Sequence, residues 1–190
     1  MTEARPQRAD AIRNRGKIVS AAREQITTHG PDVGMNEIAT AAGVAVGTLY
    51  RHFPTKADLV TAIVAEYVAQ VADDAEAACD RVAGGADATH EITAFLRRVV
   101  EVSAINHAAK AAAQTLGADL RVQTDEQRAG AALATLIRAG QADGNVHPDV
   151  TVADIYLLFS TAPIDRSPAA RERWLMLVLP GLSAHTRTVG

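Results

Sequence analysis

Apolar residues return every three or four positions along most of the chain, the period of helices that bury one face. Ile18, Val19, Ala22 and Ile26 predict a first helix over about residues 10–29. Met35, Ile38, Ala39 and Ala42 predict a short one over 35–42, and Val46, Leu49 and Phe53 another over 46–52. A long helix follows from 56 to about 80, with Leu59, Val60, Ile63, Val64, Tyr67, Val68 and Val71 at helical spacing. Ile92, Phe95, Leu96, Val99 and Val102 predict a fifth helix over about 88–106. Ser103, Asn106 and His107 continue its stripe with polar groups. An alanine-rich helix over 110–116 follows, then one over about 120–139 whose first half is polar and second half apolar. Ile155, Tyr156, Leu158 and Phe159 mark an eighth helix, and Trp174, Leu175, Leu177, Val178 and Leu179 a ninth. The pattern is that of an all-α chain of about nine helices.

The breaks agree with the stripes. Gly43 stands where a helix needs a left-handed residue to stop, and Gly84-Gly85 is the first clear break after the fourth helix. Thr55 with Asp58, and Thr151 with Asp154, fit capping boxes. Ser167-Pro168 suits an N-cap followed by a first helical residue. Residues 140–148 are rich in turn formers. Pro180 lacks a backbone donor and clashes with the preceding turn, so the ninth helix is expected to kink or end near Leu179.

Residues 34–58 organise the rest. With Val46, Leu49 and Phe53 turned inward, the helix over 46–52 is expected to show Gly47, Thr48, Tyr50, Arg51 and His52. Hydroxyls, a phenol, a guanidinium and an imidazole on two exposed turns suit phosphates and base edges. Two short helices across a tight turn, the second bearing such a face, form a helix-turn-helix, whose second helix enters the major groove. Lys56 falls in the first turn of the fourth helix, where the dipole disfavours a cation; an external phosphate would turn that misfit to use.

RGKIVSAAREQITTHG followed by MNEIATAAGVAVGTLYRHFPTKADLV closely resembles the N-terminal DNA-binding domain of the TetR family of transcriptional regulators, over residues 15–60. The resemblance implies a homodimeric, all-helical repressor that binds a palindromic operator and is released by a small ligand. It places Thr48, Tyr50 and His52, with Val46, Gly47 and Arg51 around them, on the recognition helix, and Lys56 on a phosphate. Gly34 stands where the family often has a capping threonine, and Ala45 where it often has serine. A lost N-cap costs about 1 kcal/mol. The resemblance also implies an effector pocket between the fourth, fifth and seventh helices, for which Tyr67, Phe95, Ser103, Asn106, His107 and Thr124 are candidates. It further implies a dimer interface on the last two helices. Those helices are apolar on too many sides for one wet face, and Tyr156, Phe159, Trp174, Leu175, Val178 and Leu182 are the candidates there.

Composition sharpens the division. The net charge is −3, but residues 1–60 carry eight Lys and Arg against six Asp and Glu, and the remainder eleven against sixteen. A basic N-terminal part on an acidic body fits local attraction to phosphate. Expected domains are a flexible basic arm over 1–9, either a tail with little effect or one whose Arg5 and Arg8 reach DNA, a DNA-binding domain over 10–55, and a ligand-binding and dimerisation domain over 56–190. One cysteine, Cys79, permits no intrachain disulfide and fits a reducing compartment. The N-terminus shows no secretion signal, and no run of about 18 apolar residues predicts a membrane span, so a cytoplasmic protein is expected. No two histidines lie three or four apart, and no nucleotide loop or nucleophile elbow appears; neither metal, cofactor nor enzymatic activity is expected. The alternatives are a helical enzyme or ligand-binding module without an operator, or an adaptor that uses the apolar C-terminal helices.

Overall fold

The computed structural model describes residues 4–117 and 123–184. They form α1 (Ala4–His29), α2 (Met35–Ala41), α3 (Val46–His52), α4 (Lys56–Ala83), α5 (Ala88–Ile105), α6 (His107–Thr115), α7 (Gln123–Ala142), α8 (Val152–Thr161) and α9 (Pro168–Val178), with a 3-10 turn over Leu179–Leu182. Among the described residues the only β feature is an isolated antiparallel bridge between Val146 and Ser183.

Several helix ends depart from the periodic reading. α1 begins at Ala4, so residues 4–9 of the expected arm are its first turns. Ala, Arg and Gln are strong helix formers, and a proline is tolerated in a first turn. Residues 1–3 of that arm, and the start at Leu120 expected for the seventh helix, lie outside the described residues. α4 runs on to Ala83 and closes at Gly85, whose φ is +98°. α9 ends at Val178, and Pro180 sits in the 3-10 turn that follows. The three expected caps form. The Thr55 amide donates to Asp58 Oδ2 at 2.9 Å and the Asp58 amide to Thr55 Oγ1 at 3.1 Å. The Thr151 amide donates to Asp154 Oδ2 at 2.8 Å, and the Ala170 amide to Ser167 Oγ at 3.3 Å.

The chain divides into two compact units. Among the described residues the first holds 4–67 and 105–117, the second 68–104 and 123–184. This differs from a break at residue 56. α4 contributes to both units, and α6 belongs with α1, against which it packs. The alanines at 109, 112 and 113 of α6 are buried, as are Ile18, Val19, Ala22 and Ile26 of α1. Small side chains let two helices approach closely enough to exclude water. Within the same unit Arg23 of α1 holds Glu66 of α4 at 2.9 Å.

The second unit is built around Phe95, Leu96 and Val99 of α5, Leu133, Leu136 and Ile137 of α7, Ala75 and Ala78 of α4, and Ile155 of α8. Gly140 is buried inside α7 because a Cβ there would lie 2.5 Å from Val146 Cγ2. Arginine ion pairs tie the helices of this unit together. Arg128 of α7 binds Asp73 and Glu76 of α4 and Asp125 one turn upstream, at 2.6–2.9 Å. Its hydrogen bonds to the Glu76, Asp73 and Asp125 carboxylates raise its pKa above the usual arginine value. Arg98 of α5 holds Asp74 of α4 at 2.8 Å. Arg171 of α9 grips both oxygens of Glu101 at 2.9 and 2.7 Å, which holds that carboxyl below its ordinary range.

Candidate nucleic-acid interface

α2 and α3 are joined by backbone chemistry. Gly43 adopts φ +65°, its amide donates to Thr40 O at 3.1 Å, and the next amide, of Val44, donates to Ala39 O at 3.0 Å. This paired closure is the Schellman ending, which needs a left-handed residue at that point. Ala45 is extended and opens α3 without a side-chain cap. Phe53 is extended too, as the residue before Pro54 must be, and α3 stops after seven residues. At the start of α2, Gly34 has no side chain to offer, but its own amide donates to Glu37 Oε2 at 2.8 Å. Half of a capping box thus survives the missing threonine.

The short α3 rests on Leu49, fully buried, and Phe53, nearly so. Gly47, Tyr50 and Arg51 are exposed, with Tyr50 at 45%. Val46, expected to face inward, is 40% exposed. Helical Cα–Cβ bonds tilt toward the N-terminus, so a first-turn side chain reaches past the body beneath it. Thr48 and His52, expected outside, are half-buried. The Phe53 ring lies 6.4 Å from the His52 ring and 5.3 Å below the Arg15 guanidinium. Arg51 and His52 line a cleft of about 440 Å³ with Asp10, Ala11 and Asn14 of α1. No local pattern signals this cleft, whose two sides lie some forty residues apart.

Lys56, expected at a phosphate, is half-buried. Its ammonium donates to the carbonyl of Pro31 and, at 2.7 Å, to that of Val33. Both acceptors lie in the connection between α1 and α2.

The six residues expected to line an effector pocket are divided between the units. Tyr67, Asn106 and His107 belong to the first, Phe95, Ser103 and Thr124 to the second. Phe95 is fully buried in the core of its unit, Asn106 is buried, and His107 and Thr124 are exposed. The reason is chain geometry: the α5 stripe that was read as one surface ends where the chain passes into α6 and the other unit. Within the second unit α4 and α5 enclose an open groove of about 470 Å³, walled by Val71, Val99 and Val102 and rimmed by Asp74, Arg98 and Glu101. The Arg98 Nη2 is buried there without a hydrogen-bond acceptor among the described residues.

Of the residues expected at a dimer interface, Leu175 is 2% exposed and buried within this chain. A ninth helix apolar on most sides gives no periodic clue to which leucine turns inward. Phe159 and Leu182 are half-buried against that core, Trp174 and Val178 are half-buried, and Tyr156 is exposed. On α8 and α9 the large apolar residues most open to solvent are Leu157 and Leu177, both 63% exposed, with Met176 beside the latter. Burial and the nearby Glu126 push the Tyr156 phenol up. Among the described residues no cluster of His, Cys, Asp and Glu suits a metal ion, and no helix is long and apolar enough to cross a membrane.

Residues 18–63 match the family model for bacterial regulatory proteins of the tetR family. Residues 87–184 match that for the C-terminal domain of SbtR-like transcriptional regulators. A TetR transcription regulatory protein from Mycobacterium vanbaalenii is similar at 34% identity with a TM-score of 0.74, over 94% of this chain and 99% of that one. A TetR transcriptional regulator from Streptomyces coelicolor is similar at 28% identity and a TM-score of 0.71, over 90% and 99%. An HTH-type transcriptional regulator from Staphylococcus aureus is 45% identical over 53 residues, 27% of this chain and 29% of the relative. The chain thus matches under two fifths of the length of such curated relatives.

Proposed function

The chain belongs to the TetR family of transcriptional regulators, DNA-binding proteins rather than enzymes, and we propose that it is a cytoplasmic repressor that grips a palindromic operator as a homodimer and releases it when a small molecule binds. The observation that carries this reading is α3, a seven-residue helix seated on Leu49 and Phe53 with Gly47, Tyr50 and Arg51 held outside. Tyr50 and the half-buried Thr48 contact bases or the adjoining phosphates, and His52 contacts phosphate. Arg51 matches the O6 and N7 edge of guanine. Val46 and Gly47 give α3 an N-terminal end slim enough to enter the groove. A two-fold dimer sets half-sites about 34 Å apart, one turn of DNA, or somewhat more.

Leu157 and Leu177 support pairing through α8 and α9, since exposed leucines of that size favour a second apolar surface. The α4–α5 groove supports an effector site. Its rim charges are already paired, Arg98 with Asp74 and Glu101 with Arg171, so it favours a neutral molecule with an apolar body and one acceptor for Arg98. Such a ligand acts only by binding the operator-incompetent state more tightly than the competent one.

The test is selection of bound sequences from a random duplex pool, with the full chain and its Tyr50→Ala variant side by side. A palindrome enriched by the wild type and lost by the variant supports the proposal. Absence of enrichment at low salt, from protein shown by mass spectrometry to carry no co-purified small molecule, overturns it.

A further inference from the structure

Val46 opens α3 with 40% of its surface in water, while Leu49 and Phe53 of the same turns are buried. Tyr50 lies four residues on, hence on the same side of the helix, and is 45% exposed. The apolar surface continues backward, since Ala45 is exposed, extended and brings no hydroxyl to the start of α3. Gly47 leaves space beside it. A Cβ at Gly47 would meet nothing within 4 Å, and glycine weakens a helix relative to alanine. The fold gives no reason for that glycine, whereas close approach of a partner to the backbone does.

We propose that Val46 is a specificity-determining residue of the operator interface: its isopropyl group packs against the C5-methyl of a thymine in each half-site. The N-terminal residues of a recognition helix are those that meet base edges in the major groove. Among the edges presented there, the thymine methyl is the one apolar group, and the rest are donors and acceptors. An isopropyl group set against a donor or acceptor strips its water and returns no hydrogen bond. Set against a methyl, it removes two apolar surfaces from water together. The bare backbone at Gly47 lets the thymine ring come close enough for that contact. Tyr50, on the same side of α3, is left to bond the neighbouring base or phosphate. The inference rests on the operator-binding reading and names the base that one of its side chains selects.

The experiment uses the full chain and the duplex enriched from the random pool. Each thymine of the half-site is replaced in turn by deoxyuridine, on both halves, which removes the methyl and keeps the pairing. At one thymine position the wild type should bind about sixteen-fold more weakly, about four-fold per half-site, the value of one methyl taken from water. Val46→Ala and Val46→Ser both remove the two γ-methyls, and as exchanges at an exposed position they should melt with the wild type. Each should bind the thymine duplex more weakly than the wild type does, and bind its deoxyuridine counterpart equally well. A wild type indifferent to deoxyuridine at every position, a half-site without thymine, or a thymine preference that persists at wild-type size in either variant overturns the proposal. Failure of the operator reading is distinct: it shows as no enriched palindrome at all, and takes this inference with it.

Discussion

The α2–α3 pair and the α8–α9 pair are both made of short helices, and they dispose of apolar side chains in opposite ways. α3 buries its leucine and phenylalanine and leaves a phenol, a guanidinium and a glycine outside. α8 and α9 bury Ile155 and Leu175 and still leave Tyr156, Leu157, Met176 and Leu177 in solvent. A polar face on a rigid two-turn helix suits a charged, hydrated partner whose edges are read by hydrogen bonds. A face of leucine and methionine suits a partner that removes it from water, at about 25 cal/mol per Å² buried. The contrast teaches that the two ends of the chain are built for different classes of contact, although one period of hydrophobic residues underlies both.

That contrast breaks first in the interior. Leu49→Ala and Leu175→Ala each remove a buried leucine and should cost about 2–5 kcal/mol. Denaturant unfolding of Leu175→Ala should show this loss at every protein concentration, because Leu175 supports its own protomer. A loss that vanishes on dilution would return Leu175 to an interface. Next in size, Gly140→Ala drives a methyl into Val146 and should destabilise by about 1–3 kcal/mol, against the gain that alanine normally brings to a helix. A raised melting temperature would mean that Val146 yields freely.

On the surfaces the same measurements should barely move. Tyr50→Ala should stay within about 0.5 kcal/mol of the wild type while abolishing duplex enrichment. Leu157→Asp with Leu177→Asp should leave protomer stability similarly unchanged and sediment as a monomer where the wild type sediments as a dimer. A variant that keeps the wild-type mass would remove α8 and α9 from the interface. The smallest effect is acid sensitivity. Arg171 lowers the folded-state pKa of Glu101, so the pair stabilises fully above the ordinary carboxyl value near 4.5 and loses that contribution as pH falls through the lowered value. The stability gap between wild type and Glu101→Gln should therefore narrow on acidification, in urea titrations from pH 6 to pH 3. A constant gap would remove this ion pair from the acid response.

What was legible in advance depended on separation along the chain. Thr55 with Asp58, Thr151 with Asp154, and the turn at Gly43 act within five residues, so their types and spacing were enough. Lys56 was legible as a cation misplaced on a dipole, but its acceptors lie 23 and 25 residues upstream, and no local rule points that far back. Arg171 and Glu101, 70 residues apart, left no trace in the pattern. The burial of Leu175 was not legible, because a helix apolar all round carries no phase. Val46 and Thr48 exchanged environments because a two-turn helix is too short for period alone to settle its face.

The bridge between Val146 and Ser183 carries a kinetic meaning. Together with the His147 amide on the Leu182 carbonyl at 2.8 Å and the Ala184 amide on the Asn145 carbonyl at 3.0 Å, it closes a loop that contains all of α8 and α9. Closing a loop of that length costs chain entropy before any contact within it is rewarded, and contacts so distant in sequence form slowly. Leu157 and Leu177 both lie inside the loop so closed. A partner that needed both in place would favour chains in which that loop has closed.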